Sequence, residues 1–341
     1  MRAAARDGPA CARARPACAS SSACPRAGAP LYGQAGHVRE ALASLLGQTF
    51  GDFRLVLVDD ASPDDTVAIV RETIAGDARA ELHVNPRRLG MLRNTNRAWA
   101  LSRERFPDAE FWALGSDHDL WHPRWLERLV AALDEHRAAV LAYPLTRRVD
   151  AEGRPLRAAW RFDTEGVADP RARLRRGLYR MVSGDMIYGL FRAAALDRTG
   201  FYAPVLAPDR LLLSELTLEG EFVQVPETLW DRRFAGLASL ERQRRAFWPE
   251  GAPLRSRLPW WVAHSGRFGR RHGTRAALAD YVPASVAFQV RRRVLETASN
   301  VAAPAVKGAL RRPAVRRAVA QGVIPAVRET REVLQRLGEE A

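Results

Sequence analysis

The feature that most constrains this chain is an alternation of two patterns. Short apolar runs, "FRLVLVDD", "AELHVN" and "AEFWAL", are separated by segments whose apolar residues recur at helical spacing. "HVREALASLLGQ" puts Val38, Leu42, Leu45 and Leu46 on one face, and "LRNTNRAWALSRE" reads as a further helix. "HPRWLERLVAALDEH" does the same with Trp125, Leu126, Leu129, Val130 and Leu133. "SPDDTVAIVRETIA" opens like a helix, with Ser62 as cap, Pro63 at the first helical position and Asp65 three after the cap. Continuous apolar runs are strands covered on both faces. Strands alternating with helices over short links make an α/β, mostly parallel sheet with helices on both sides. In such sheets ligands bind beyond the carboxyl ends of the strands. Asp59-Asp60 and Asp117-His118-Asp119 both stand at such ends.

Further on, "AVLAYPLTRRVDAEGRPLR" reads as two strands joined by a turn at Glu152-Gly153. "MIYGLFRAAALDRTGFY", "PDRLLLSELTLEG" and "EFVQVPETLWDRRF" give strand, helix, helix and strand. With 341 residues, 47% of them hydrophobic, the chain can bury a sizeable core. The net charge of +14 raises the question of an anionic partner. The excess is concentrated in the first thirty residues and after Pro249, so no basic groove runs through the middle and no nucleic-acid partner is expected. The positive charge is nearly all arginine, Lys307 being the one lysine. Cys11, Cys18 and Cys24 all lie near the start, so no disulfide framework holds the fold, which suits a reducing compartment. There is neither a run of eighteen apolar residues nor a hydrophobic leader, and a cytoplasmic location is the expectation.

The stretch "GSDHDLWHP" carries two readings. One is a polar turn that caps the following helix. The other is a site for a divalent cation, Mg²⁺ or Mn²⁺, and the phosphates it bridges. An aspartate at the neighbouring strand end can accept from a base N–H or a ribose hydroxyl, and Arg87, Arg88 and Arg93 lie on the stretch between. A diphosphate leaves only when its developing charge is neutralised, and this arrangement suits that task. Asp209 has its own plain reading, as an acidic residue in the first turn of the "RLLLSEL" helix.

The order and spacing of these segments resemble family 2 glycosyltransferases of the GT-A (Rossmann-like) fold. "PLYGQAGHVREALASLLGQTFGDFRLVLVDDASPDDT" resembles that family's opening through Gln48-Thr49, Asp59-Asp60 and Ser62. "NPRRLGMLRNTNRAWA" resembles the next segment through Asn85, Gly90 and Asn96, and "SDHDLWHPRWLERLV" its DxD segment. The resemblance runs from about Pro30 to about Phe234. It implies an inverting transfer from a nucleotide-diphosphate sugar to a hydroxyl of a cell-surface glycan or lipid-linked acceptor, as in bacterial cell-wall or polysaccharide synthesis. By it, Pro30, Tyr32, Asp60, Arg93, Asp117, Arg232 and Arg233 bind the nucleotide sugar. Asp119 and His118 ligate the metal, and Asp209 deprotonates the acceptor. His118 stands where many relatives have an aspartate, and histidine suits Mn²⁺ better than Mg²⁺, which leaves the metal's identity open. The alternatives are a non-catalytic relative that binds nucleotide or glycan, and a sugar-phosphate nucleotidyltransferase. The second needs a glycine-rich, lysine-bearing loop after its first strand, and none is visible.

Relatives begin with an apolar strand just before Pro-x-Tyr. Here those positions read "SSACPRAGA", from which no buried strand is expected, so residues 1–29 read as a disordered or non-native segment. Residues 30–245 form the GT-A domain in this reading, and residues 246–341 a basic helical C-terminal extension. That extension is either a cap on the domain or a peripheral contact with the anionic inner face of the membrane.

Overall fold

The computed structural model describes residues 24–150, 152–157, 161–181, 184–233 and 240–286. The expectations for residues 1–23, and for the basic tail over 287–341, lie outside the described residues. The three apolar runs become β2 (Arg54–Asp59), β3 (Ala80–Val84) and β4 (Phe111–Leu114). The helical patterns become α1 (Val38–Leu46), α2 (Thr66–Thr73), α3 (Met91–Arg105) and α4 (Trp125–Glu135). Then come β5 (Leu120–Trp121), β6 (Ala139–Val149), β7 (Pro155–Arg157), α5 (Pro170–Arg180), β8 (Leu190–Arg192), α6 (Ala193–Thr199), α7 (Pro208–Glu219) and β9 (Glu221–Arg233). Last among the described residues are α8 (Leu240–Phe247) and α9 (Trp260–His272).

The largest departure from expectation is β1, Arg26–Leu31, a strand at the centre of the sheet. The described strands form one nine-stranded sheet in the order β3-β2-β1-β4-β8-β6-β9-β5, with β7 on β6. β1 runs parallel to β2 on one side and to β4 on the other. A domain start at residue 30 is therefore corrected, because Arg26 to Ala29 are already inside the sheet. The segment "RAGAPL" succeeds because its neighbours supply the bulk. Ala27, Ala29 and Leu31 pack against Val38, Ala41, Leu42 and Leu45 of α1. On the opposite face a Cβ on Gly28 would stand 2.8 Å from the Trp112 ring and 3.3 Å from Ala98 of α3. Pro30 is tolerated because pairing with β4 ends at Gly28, so its missing N–H falls beyond that ladder. Arg26, itself buried, spends its charge on the carbonyls of Cys24 and Pro25 and lies 4.5 Å over Phe106.

Gly28→Val tests this placement. β-branched residues normally favour strands, yet here the added methyls collide with Trp112, and a loss of about 2 kcal/mol is expected. Denaturant unfolding reads it directly, and an unchanged or raised midpoint would remove Gly28 from that contact.

The core has two faces. α1 and α4 cover one, and α3, α7 and the ring cluster Trp99–Trp112–Phe201 cover the other. Trp121 and Trp125 are buried against one another in the first core. Ser62 is not a helix cap. Its hydroxyl donates to Asp59 (2.5 Å) and accepts from the Gly33 amide (3.0 Å), and the helix starts later, after Asp65. A local bond to Asp59, three residues back, and a tertiary one from Gly33 take the place of the cap. The described part of the C-terminal extension packs onto the domain: Trp248 and Trp260 join the second core, and Phe268 and Tyr281 meet Leu174 and Leu178 of α5. His264 bridges the Leu206 carbonyl (2.7 Å) and the Tyr281 hydroxyl (2.9 Å), and burial pushes it down to about 4. Among the described residues no helix is long and apolar enough to cross a membrane.

Candidate functional site

β2, β1 and β4 are adjacent and parallel, so their carboxyl ends share one edge of the sheet. From β1 the chain builds outward through β2 and β3 on one side, then returns to place β4 on the other. That reversal opens a crevice between the β1 and β4 ends, where ligands of such sheets sit. Asp117 spans it. Its Oδ2 accepts from the Tyr32 amide at 2.9 Å, and its Oδ1 faces His118 Nδ1 at 2.7 Å. Burial disfavours a proton on His118, but the bond to Asp117 and the charges of Asp119 and Asp117 outweigh it and raise its pKa. With Nδ1 on Asp117, Nε2 is turned toward Asp119, 3.8 Å away. Asp119 is buried and accepts from the Arg233 amide at 2.8 Å. Burial pushes its carboxyl up, and His118, that amide and Arg232 only partly offset the shift.

At the β2 end the carboxylates are already engaged. Asp60 accepts from Asn85 Nδ2 (3.0 Å), the Leu89 amide (2.6 Å) and the Gly90 amide (2.8 Å), and Asn85 also donates to Asn94 (2.8 Å). Asp60 therefore sets the 85–90 loop and the start of α3. Arg93 is exposed on the first turn of α3, and Pro30 and Tyr32 line the β1 end. The Tyr32 ring carries the Arg88 guanidinium 4.1 Å above it.

The other wall comes from the second half of the chain. Asp209 lies in the first turn of α7, after Ala207, which holds a left-handed conformation at φ 48°. A non-glycine residue there carries strain that the surroundings must offset, and such strain gathers at functional sites. The approach to α7 is pinned from α3: Asn96 donates to the Tyr202 carbonyl (2.9 Å) and accepts from its amide (3.1 Å). The Asp209 carboxylate rests on Gly184, where any Cβ would collide with it. Burial pushes Asp209 above the ordinary carboxylate range, with the Arg210 amide and the charges of Arg232 and Arg210 opposing.

Tyr188 joins the two walls. Its ring lies 4.7 Å from Trp230, and its hydroxyl is raised by burial first, then by the charge of Asp119, with Arg232 opposing and Asp117 and Asp209 adding. Arg232 is bonded to Asp185, which Arg148 also approaches at 3.7 Å. Arg233 reaches Glu40 and the His118 carbonyl, each at 2.5 Å. Both arginines thus stand at the site with protein partners. Asp117, His118, Asp119 and Arg233 are joined by direct contacts, and the charges of Asp119, Arg232, Asp117 and Asp209 all act on Tyr188. Asp60 and Arg93 sit at the neighbouring loop. Gly184 and Asp185 carry no sequence signal, Tyr188 only that of a strand-like "MIYGLF", and only packing reveals them.

A divalent cation can be tested against this donor set. Among the described residues no group of three His, Cys, Asp or Glu converges on one point. Asp119 with the Nε2 of an Asp117-oriented His118 offers two donors. Two suffice for an ion that takes its remaining ligands from a diphosphate and water, so the residues fit.

The model of the family described as glycosyl transferase family 2 matches residues 29–196. Among solved structures, S. aureus TarS 1–349 in complex with UDP-GlcNAc superposes with a TM-score of 0.55 at 17% identity, over 77% of this chain and 73% of that one. The same protein in complex with UDP gives 0.54 at 18% identity, over 76% and 70%. No curated protein sequence matches the chain.

Proposed function

We propose that this protein, whose residues 29–196 match the glycosyl transferase family 2 model and whose fold is GT-A, transfers sugar from a nucleotide-diphosphate sugar to an acceptor hydroxyl with inversion. One observation carries the reading. Asp117 accepts from the Tyr32 amide at the end of β1 and holds His118, while Asp119 accepts from the Arg233 amide at the end of β9, so two carboxylates and an imidazole stand together at the β1–β4 crevice. The donor lies at the β1–β4 crevice, where Tyr32 and Asp117 frame it and the Asp60-held loop closes its side. That TarS is solved with UDP-GlcNAc supports a nucleotide-sugar donor of this kind.

Asp119 and His118 would hold a divalent cation, which would supply positive charge to offset that of the departing diphosphate. Asp117 keeps His118 oriented, and Arg233, tied to Glu40 and the His118 carbonyl, keeps that loop in place. Arg232 lends positive charge beside Asp119 while Asp185 fixes its direction. Asp209 accepts the acceptor's hydroxyl proton on the face opposite the leaving group, which is what inversion requires. The acceptor is a glycan or lipid-linked hydroxyl.

Thermal-shift titration with UDP, GDP and dTDP, with and without Mn²⁺, tests the donor reading. One nucleotide is expected to raise the melting point in a metal-dependent way, by up to about 2.7 kcal/mol of stabilisation at a hundredfold excess over Kd. Asp119→Asn is expected to abolish the metal dependence. A shift indifferent to both metal and Asp119, or no shift with any nucleotide, overturns the assignment.

A further inference from the structure

Beside the crevice lies a second concavity that the proposed chemistry does not use. It is an open groove of about 680 Å³ between the Arg88 loop and the segment from α8 to Arg257. Arg88, Arg244, Arg245 and Arg257 line it against one acid, Glu241, and Trp248 forms an aromatic wall. Glu241 is held only loosely, 3.5 Å from Arg244 and 3.4 Å from Arg245. Arg257 is exposed and has no ion-pair partner among the described residues. Arg88 Nε is shielded from solvent without a hydrogen-bond acceptor while its guanidinium stacks on Tyr32. A cation stacked on an aromatic ring keeps its remaining N–H groups for another ligand.

The groove is built into the fold. Gly90, whose amide bonds Asp60, packs against the Phe247 carbonyl and lies where a Cβ would meet Pro249 Cδ at 2.6 Å. Arg87 pairs with Glu250 across the same junction. Arg244 Nε donates to the Ser256 carbonyl at 3.0 Å, which sets its guanidinium. One wall is thus clamped to the loop that Asp60 holds, and Arg88 faces both the groove and Tyr32 at the donor crevice.

We propose that this groove binds a phosphate-bearing segment of the acceptor and so selects an anionic acceptor over a neutral one. The inference rests on the transferase reading for its location and adds the acceptor's chemical class to it. Planar guanidinium groups match phosphate oxygens in pairs, and four of them around one opening suit a phosphate-bearing group. The donor's own diphosphate has a separate place at Asp117 to Asp119, so the two anions are distinguishable by competition.

The test uses the full chain and a short linear polyphosphate carrying a fluorescent label, titrated at moderate salt with and without saturating UDP. Binding is expected to persist with UDP present. Arg245→Gln with Arg257→Gln, both exposed positions, is expected to weaken it about tenfold, and Arg244→Gln to weaken it further. Arg137→Gln with Arg180→Gln removes the same charge from elsewhere on the surface and is expected to leave binding within twofold. The thermal melt of each variant reports folding. Displacement of the polyphosphate by UDP assigns it to the donor crevice and overturns the proposal. Equal loss in the groove and control variants means diffuse attraction to a basic protein, and overturns it too, as does absence of binding. The titration with UDP alone reports the donor reading separately, so failure of one is not failure of the other.

Discussion

Asp209→Asn is expected to lower sugar transfer by about 10²- to 10⁴-fold while leaving nucleotide binding within twofold. The substitution keeps the shape of the side chain against Gly184, so the carboxamide fits where the carboxylate rested. What it removes is the capacity to take a proton. Burial raises the Asp209 carboxyl above the ordinary range, and the sign of the pH dependence follows. At low pH Asp209 is protonated and cannot accept the acceptor's proton. The rate therefore climbs with pH through this raised pKa and then levels, as a one-proton limb displaced upward from a free aspartate. In Asp209→Asn the residual rate is flat across that interval. Turnover against pH for both proteins, with nucleotide affinity measured alongside, checks the assignment. A variant that loses nucleotide affinity in step with turnover, or that keeps the limb, places the base elsewhere.

Gly90→Ala is expected to cost roughly 3 kcal/mol of stability, about 1 kcal/mol from the backbone and the larger part from steric contact. Gly90 sits at φ 90° and ψ 150°, a region closed to residues with a Cβ. The new methyl would also press on the Phe247 carbonyl and stand 2.6 Å from Pro249 Cδ. Gly76 separates the two. It has φ 80° with open space around its Cα, so Gly76→Ala carries the backbone term alone, about 1 kcal/mol. Denaturant unfolding of both variants gives the difference. Equal losses would mean that the segment after α8 is not clamped at Gly90. Because the Gly90 amide is one of three donors to Asp60, the larger loss should be accompanied by weaker nucleotide binding.

Much of the fold was legible in the chain. β2 and β4 are unbroken apolar runs because helices cover them on both faces, and such runs stand out against any background. The acidic residues that end them were legible for a related reason, since a carboxylate directly after a buried strand needs an explanation. β1 was not legible. Ala27, Gly28 and Ala29 contribute little apolar surface, and their burial comes from Trp112, Ala98 and α1, residues that reach them only once the sheet is assembled. The same holds for Ser62, where a cap motif lost to Asp59 and Gly33, brought together by adjacent strand ends. Asp60 illustrates the limit in another way. Its place at a strand end was evident, but its three donors come from a loop some thirty residues on, and they show a carboxylate that shapes the site's side.

By itself, the sequence determined the alternating architecture, the edge of the sheet at which Asp59, Asp60, Asp117 and Asp119 stand, and the acidic character of that edge. These follow from local periodicity and from charge placed against apolar runs, which short stretches of chain encode completely. Only the tertiary structure decided which distant groups share one pocket. It brought the Tyr32 amide to Asp117 and the Arg233 amide to Asp119, set the Asp209 carboxylate on Gly184, and ranged arginines from two separate segments around one groove. Such pairings depend on how the chain returns across the sheet, and the energy that selects them is the packing of the whole core.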